Sequence, residues 1–358
     1  MSRAVRAIID LAALTHNWDK VREFAPRSKV LAVVKADAYG HGSVHTAGAL
    51  TAADGFGVAG IDEALTLREA GVTVPICLLS GFHEPADLSL MARHAIGAAV
   101  YDPAQLDALD AARLHRPVTV WLKIDSGMHR LGFAPEQVAG AVARLESAPA
   151  VGDLRLMSHL ANADNTDDDY TRTQLKCFLN TSRNYRYPCS IANSAAVMAW
   201  PDTHLDWIRP GLMLYGASPL LGRSAAELAL KPVMTLTASI IAVKHLNAGD
   251  PIGYGGDWVC PTAMRVGVVA CGYGDGYPRH APSGAPVWIQ DCTAPLIGRV
   301  SMDLISVDLS HHPHAGVGTP VELWGEHLPV DTVASHAGTI AYELLCGVTA
   351  RVPRQVLA

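Results

Sequence analysis

Lys35 closes the apolar run Val30 to Val34 and is followed by Tyr39, Gly40 and Gly42. The run is too short for a buried helix and suits a strand covered on both faces. A lysine directly after such a strand leaves the sheet at its carboxyl edge, where α/β folds gather ligand sites, and the glycines permit a sharp turn beside it. The ends of later apolar runs carry Lys123 and Asp125, with Arg130 soon after, then His159, Asn193 and Ser194, and finally Arg209 and Tyr215. Together they offer an amine nucleophile, hydroxyls and glycine backbone suited to a phosphate, and an arginine and a histidine on separate elements. A Schiff base to pyridoxal 5'-phosphate needs such an amine beside a phosphate cradle.

Taken singly, each residue has a plainer explanation. Lys35 could mark a strand's exit into water, His159 could be a satisfied core histidine, and Tyr254 within GYGG could be a turn aromatic. Their collection is what favours chemistry. Other motifs fail on context. The GYGDG run at 272–276 is followed by Pro278, Pro282 and Pro286, so no helix can present its amino end to a dinucleotide. The acidic run Asp164 to Asp169 lacks the glycine of a calcium loop and is expected to cap the next helix. His311, His312 and His314 are expected in a surface loop, and no metal site is expected.

Eight apolar runs recur at intervals of roughly 25 residues, starting at Val30, Gly55, Val74, Ile96, Pro117, Leu154, Cys189 and Trp207. Helical periodicity fills the gaps, as in IDEALTLREAG, PAQLDALDAARLH and PEQVAGAVARLE. Eight strand–helix units predict an α/β fold, a (β/α)8 TIM barrel, in preference to a doubly wound open sheet, because eight is the closing number and no Rossmann-type glycine fingerprint follows the first strand. Leu11 to Phe24 reads as a helix with Asp10 as its N-cap. From about Lys231 the pattern becomes β-rich, with helical character returning only around Val330 to Leu345. The expected division is a barrel over 10–225 and a mainly β domain over 226–358.

The 358 residues are 49% hydrophobic and 17% charged, which describes a large globular core. Net charge is -6 with no basic block, so neither nucleic acid nor an anionic membrane is an expected partner. Asp10 and His16 interrupt any signal-peptide core, and a cytoplasmic location is expected. The seven cysteines form no CxxC pair and are expected to be buried thiols.

The segments AVVKADAYGHG, WLKIDSGMHRLGF, MSHLANAD, ANSAAV, WIRPGLMLYG, IGYGG, GYGDGYPR, GRVSMD and RVPR occur in that order. In these, the chain resembles the bacterial alanine racemases along nearly its whole length. The resemblance implies a barrel with a C-terminal β domain, residues 1–9 adding a strand to that domain, and a homodimer whose active sites are shared between subunits. It also implies interconversion of L- and D-alanine, for peptidoglycan precursors or for D-alanine degradation. Lys35 would be the aldimine lysine and Tyr254, from the partner subunit, the second base. Arg209 would face the pyridine nitrogen, with His159 bridging Arg209 and Tyr254. Tyr39, Ser194, Gly211 and Leu212 would hold the phosphate; Arg130 and the Met302 backbone would receive the substrate carboxylate, and Tyr273 would line the entrance.

Racemisation requires proton transfer on two faces of one planar carbanion, hence two bases. A tyrosine serves as a base near neutral pH only if cations lower its pKa of about 10, and His159 and Arg209 are expected to do so. Arg209, which does not give up its proton, would keep the pyridine nitrogen unprotonated and limit side reactions. The chain departs from some relatives in having Ala350 where they carry a phosphate-touching tyrosine before RVPR, which implies a looser cradle. Lys123 matches a position carbamylated in some members. A non-catalytic cofactor carrier, a decarboxylase of the same architecture and a racemase of broader specificity are the rival readings. The β domain with Tyr254 opposes the first, and Arg209 in place of a carboxylate opposes the second.

Overall fold

A computed structural model of the chain describes residues 4–357. Its strands are β1 (Arg6–Asp10), β2 (Lys29–Val33), β3 (Gly55–Val58), β4 (Ile76–Leu78), β5 (Ile96–Val100), β6 (Val118–Lys123), β7 (Val151–Met157), β8 (Cys189–Ser190), β9 (Trp207–Ile208) and β10 (Met234–Leu246). Then follow β11 (Pro251–Ile252), β12 (Trp258–Val259), β13 (Met264–Val269), β14 (Pro286–Ile289), β15 (Cys292–Ile297), β16 (Ile305–Asp308), β17 (Pro320–Trp324) and β18 (Arg354–Leu357). Among the described residues, β2 to β9 close a barrel of parallel strands in sequence order, with β2 pairing β9 to complete the ring. β3, β4 and β5 are buried along their whole length, which explains their uninterrupted apolar runs. The expected (β/α)8 barrel is the observed one.

Asp10 starts the first helix, Leu11–Phe24, by accepting a hydrogen bond from the Ala13 amide at 2.9 Å. Ala13, Leu14, Trp18 and Val21 bury its inner face. The second layer is a sheet in the order β13-β16-β15-β14-β17-β10-β1-β18, and β10 also pairs with β13, so six of its strands close on themselves. β1 lies antiparallel to β10 and parallel to β18, which ties both ends of the described chain into this sheet. The expectation for residues 1–3 lies outside the described residues. Helices Val330–Ala337 and Ala341–Gly347 occupy the late helical stretch. No described helix is long and apolar enough to cross a membrane.

Two expectations need correction. Cys77, Cys260 and Cys271 are buried, but Cys292 and Cys346 are exposed, because both fall at element edges rather than in apolar runs. The acidic run does cap the next helix, Tyr170–Ser182, through Asp168, which accepts the Tyr170 amide at 2.9 Å, while Asp169 makes no side-chain capping bond. His312 is packed inward rather than exposed, its ring set against Cys292.

Candidate active site

The chain leaves β2 through an unusual turn. Ala36, Asp37, Ala38 and Tyr39 all have φ between 52° and 55°, a left-handed turn of four non-glycine residues directly after Lys35. Each such residue costs roughly 1–2 kcal/mol relative to the right-handed form. Local bonds hold it. Glu63 accepts the Ala36 amide on one carboxylate oxygen and the Ala59 amide on the other, both at 2.7 Å, and Asp37 accepts the Ser43 amide at 2.7 Å. Gly40 continues with φ 79°, and a side chain there would meet the Leu345 carbonyl at 2.2 Å, so the turn packs directly on the helix Ala341–Gly347. His41 is fully buried, donating from Nδ1 to the carbonyls of Ala38 and Tyr39, and burial pushes its pKa down to about 4.

This turn presents Lys35 and Tyr39 to a cavity of about 620 Å³ at the carboxyl end of the barrel. Lys123, Arg130, His159, Asn193, Ser194, Arg209, Gly211 and Leu212 line the same cavity. Burial, then the charge of Arg130, lowers the Lys35 amine below its ordinary pKa, which favours the neutral nucleophile. Lys123 is lowered to about 8, chiefly by burial and next by Arg209.

Tyr39 stacks on Tyr215 at 4.8 Å, and the Tyr215 hydroxyl is spent on the Val33 carbonyl at 2.8 Å. Tyr215 therefore supports the site without reaching into it. The Ser194 hydroxyl oxygen accepts the amides of Gly211 and Met213 at 2.8 and 3.3 Å, leaving its own proton to donate. Gly211 has to be glycine: a Cβ there would lie 2.5 Å from the Tyr39 hydroxyl. Neither that hydroxyl nor the Leu212 amide makes a hydrogen bond to protein among the described residues. Three unspent donors thus converge beside a lysine, and these are the donors that a phosphate group requires. On this ground the residues present fit pyridoxal phosphate.

Arg209 is buried and donates to the Ser158 carbonyl at 2.6 Å, to the Ser190 hydroxyl and to the Ile191 carbonyl. Its pKa falls to about 10 through burial, so it remains a cation at neutral pH. One of its Nη atoms lies 3.4 Å from His159 Nδ1. His159 is driven well below its ordinary pKa, first by burial and then by Arg209, so it is neutral. This corrects the expectation that His159 is a cationic neighbour. Because Nδ1 accepts from a guanidinium, the ring proton sits on Nε2.

Tyr254, Tyr273 and Met302 are elsewhere. They are 69%, 39% and 53% exposed and do not line the Lys35 cavity of their own chain. Tyr254 lies in a short turn between Gly253 and Gly255, beside the Arg299–Asp257 ion pair. Tyr273 and Met302 adjoin each other in the β domain, the Met302 carbonyl accepting the Gly274 amide at 2.8 Å. Ala350 does not line the cavity either. The wall on that side is Ile340 and Tyr342, the latter ring 5.7 Å from Tyr39. Sequence reading missed Tyr342 and Glu63; the only signal was their membership of helical stretches.

Residues 9–219 match the family described as alanine racemase, N-terminal domain, and residues 233–356 the alanine racemase C-terminal domain. The chain belongs to the alanine racemase family. It is 55% identical over 350 residues to an alanine racemase of Nitrosococcus oceani, covering 98% of each chain. It is 49% identical to a catabolic alanine racemase of Pseudomonas putida over 356 residues, 99% of each chain. Among solved structures, the biosynthetic alanine racemase of Pseudomonas aeruginosa superposes with a TM-score of 0.97 at 47% identity, covering 99% of this chain and all of the other. Membership makes the chain an isomerase, and relatives named biosynthetic and catabolic stand at nearly equal distance from it.

Proposed function

We propose that this chain interconverts L- and D-alanine using pyridoxal 5'-phosphate, in the cytoplasm and as a homodimer, with Lys35 and Tyr254 of the partner subunit as the two bases. The observation that carries the proposal is the convergence of a lysine of lowered pKa with three unspent donors, from Tyr39, Ser194 and Leu212, in one cavity. Joined to Lys35, pyridoxal phosphate would supply the electron withdrawal that makes an amino acid's α-proton acidic. The residues of the chain do the rest. Tyr39, Ser194 and the backbone at Gly211 and Leu212 hold the phosphate. Lys35 would take or return the proton on the face of the D-enantiomer. Tyr254 does the same on the face of the L-enantiomer, so the proton is lost on one side and regained on the other.

Arg209 holds a fixed positive charge that would face the ring nitrogen of a bound cofactor and would disfavour its protonation. Neutral His159 relays that polarisation, accepting from Arg209 at Nδ1 and offering Nε2–H to Tyr254. Its role is orientation and hydrogen bonding. Arg130, which lines the cavity with Lys35, and the Met302 backbone of the partner subunit would receive the substrate carboxylate. Incubation with L-alanine in deuterium oxide tests the reading: α-proton loss should accompany loss of optical activity. Running serine and larger amino acids beside it separates an alanine enzyme from a broader racemase, and retention of both proton and optical activity with every substrate would refute the function.

A further inference from the structure

The barrel end opposite Lys35 holds a second cavity, of about 250 Å³, lined by the first residues of β4, β5 and β6 and by Arg68, Arg116, Asp153 and Arg155. Arg155, on β7, places its guanidinium carbon 4.9 Å from the Trp121 ring centre and 4.7 Å from that of Trp207. The two indoles meet edge to face at 5.6 Å and belong to the packed barrel interior, so the guanidinium lies against a fixed pair. Rings over the guanidinium stabilise the cation but accept nothing from its N–H edge. Arg155 makes no hydrogen bond or close ion pair among the described residues, although the charge of Asp153, two residues back on the same strand, acts on it.

Its neighbour Arg68 shows the contrast. That guanidinium is spent on the carbonyls of Val72, Val74, His94 and Ala95, at 2.7 to 3.0 Å. Charges facing this end are mostly positive: Arg68 on the helix Ile61–Glu69, Arg116 ahead of β6, Arg155 on β7, and Lys29 on β2, whose amine lies 5.5 Å from the Trp207 ring centre. Asp153 is the one carboxylate lining the cavity. Asp54 and Asp206 accept the amides of Val30 and Cys189 at 2.8 and 2.7 Å and keep their charge, so four cations face three carboxylates at this end. A half-buried guanidinium with unspent donors asks for an acceptor. Water would satisfy the donors and leave the excess positive charge, whereas a planar oxyanion satisfies both through a paired contact.

We propose that this mouth of the barrel is a binding site for a small oxyanion, a carboxylate or phosphate group, gripped by Arg155 with Arg116 at the rim. It stands apart from the catalytic cavity, so ligand here acts on the opposite end of the barrel and not on the reacting atoms. The test uses cofactor-loaded enzyme, whose own phosphate site is filled, and follows tryptophan fluorescence during titration with inorganic phosphate and, separately, with succinate at constant ionic strength. A saturable response is expected below about 50 mM, and Arg155→Met should weaken it at least about tenfold, the loss of one charge-assisted pair. Racemase kcat/KM should stay unchanged. Arg116→Ala should weaken binding by a smaller factor. Tighter phosphate identifies a phosphoryl ligand and tighter succinate a carboxylate; both support the site. Absence of a saturable response to either probe, or an unaltered one in Arg155→Met, overturns the proposal. Should Arg155→Met fail to fold, wild-type affinity in both Arg155→Lys and Arg116→Ala overturns it equally.

Discussion

Two inactive variants of this chain should restore each other. Tyr254 is largely exposed and outside its own chain's Lys35 cavity, so a site containing both bases has to draw them from two subunits. Lys35→Ala removes the amine, and Tyr254→Phe removes a proton-transfer group of the kind that contributes about 10² to 10⁴ in rate. Each homodimer should therefore work at no more than about 1% of wild type. When the two are unfolded together and refolded in equal amounts, random pairing makes about half the dimers mixed. Every mixed dimer has one site lacking both groups and one with both intact, so total activity should rise to roughly a quarter of wild type. That lies about 25-fold above either parent. Initial racemisation rates followed by polarimetry give the activity, and distinct affinity tags give the mixed fraction. A mixture shown to contain heterodimers that remains at parental activity would refute the shared site and, with it, the role of Tyr254.

Three further outcomes follow from the site. Lys123 is charged up to its ordinary 10.5 in the unfolded chain but only to about 8 when folded, so its burial costs stability below pH 8 and the cost disappears as pH rises toward 10.5. Lys123→Met should add roughly 3 kcal/mol to unfolding of the apoprotein in carbonate-free urea at pH 7 and little at pH 10.5; an equal gain at both would exclude charge as the cause. Gly211→Ala should push the Tyr39 hydroxyl aside and weaken cofactor binding by at least about tenfold in an absorbance titration, with thermal stability little changed. Glu63→Ala should free the amides of Ala36 and Ala59, costing about 2 kcal/mol, and should move the acid limb of the pH–rate profile to lower pH because the Glu63 charge raises the Lys35 pKa. An unmoved acid limb would make Glu63 a purely structural clamp.

What could be read along the chain was whatever repeats locally. Strands buried on both faces must be continuously apolar, so the eight runs from Val30 to Trp207 announced the barrel, and Asp10 announced its helix by a bond to the amide three residues on. Most residues at the carboxyl ends of those runs, though not Asp125 or Tyr215, line one cavity because the barrel gathers its strand ends there. Tertiary structure alone decided what depends on the surroundings of each group. The left-handed turn at 36–39 follows from Glu63 and Leu345, far off in sequence, and not from any glycine within it. His159 loses its charge because burial outweighs every local preference of an imidazole, and Tyr342 replaces Ala350 at the cavity wall because the helix Ala341–Gly347 docks there. Arg155 shows the same division. Its type is plain in the sequence, but its place against two tryptophans from other strands is set only by the closed barrel.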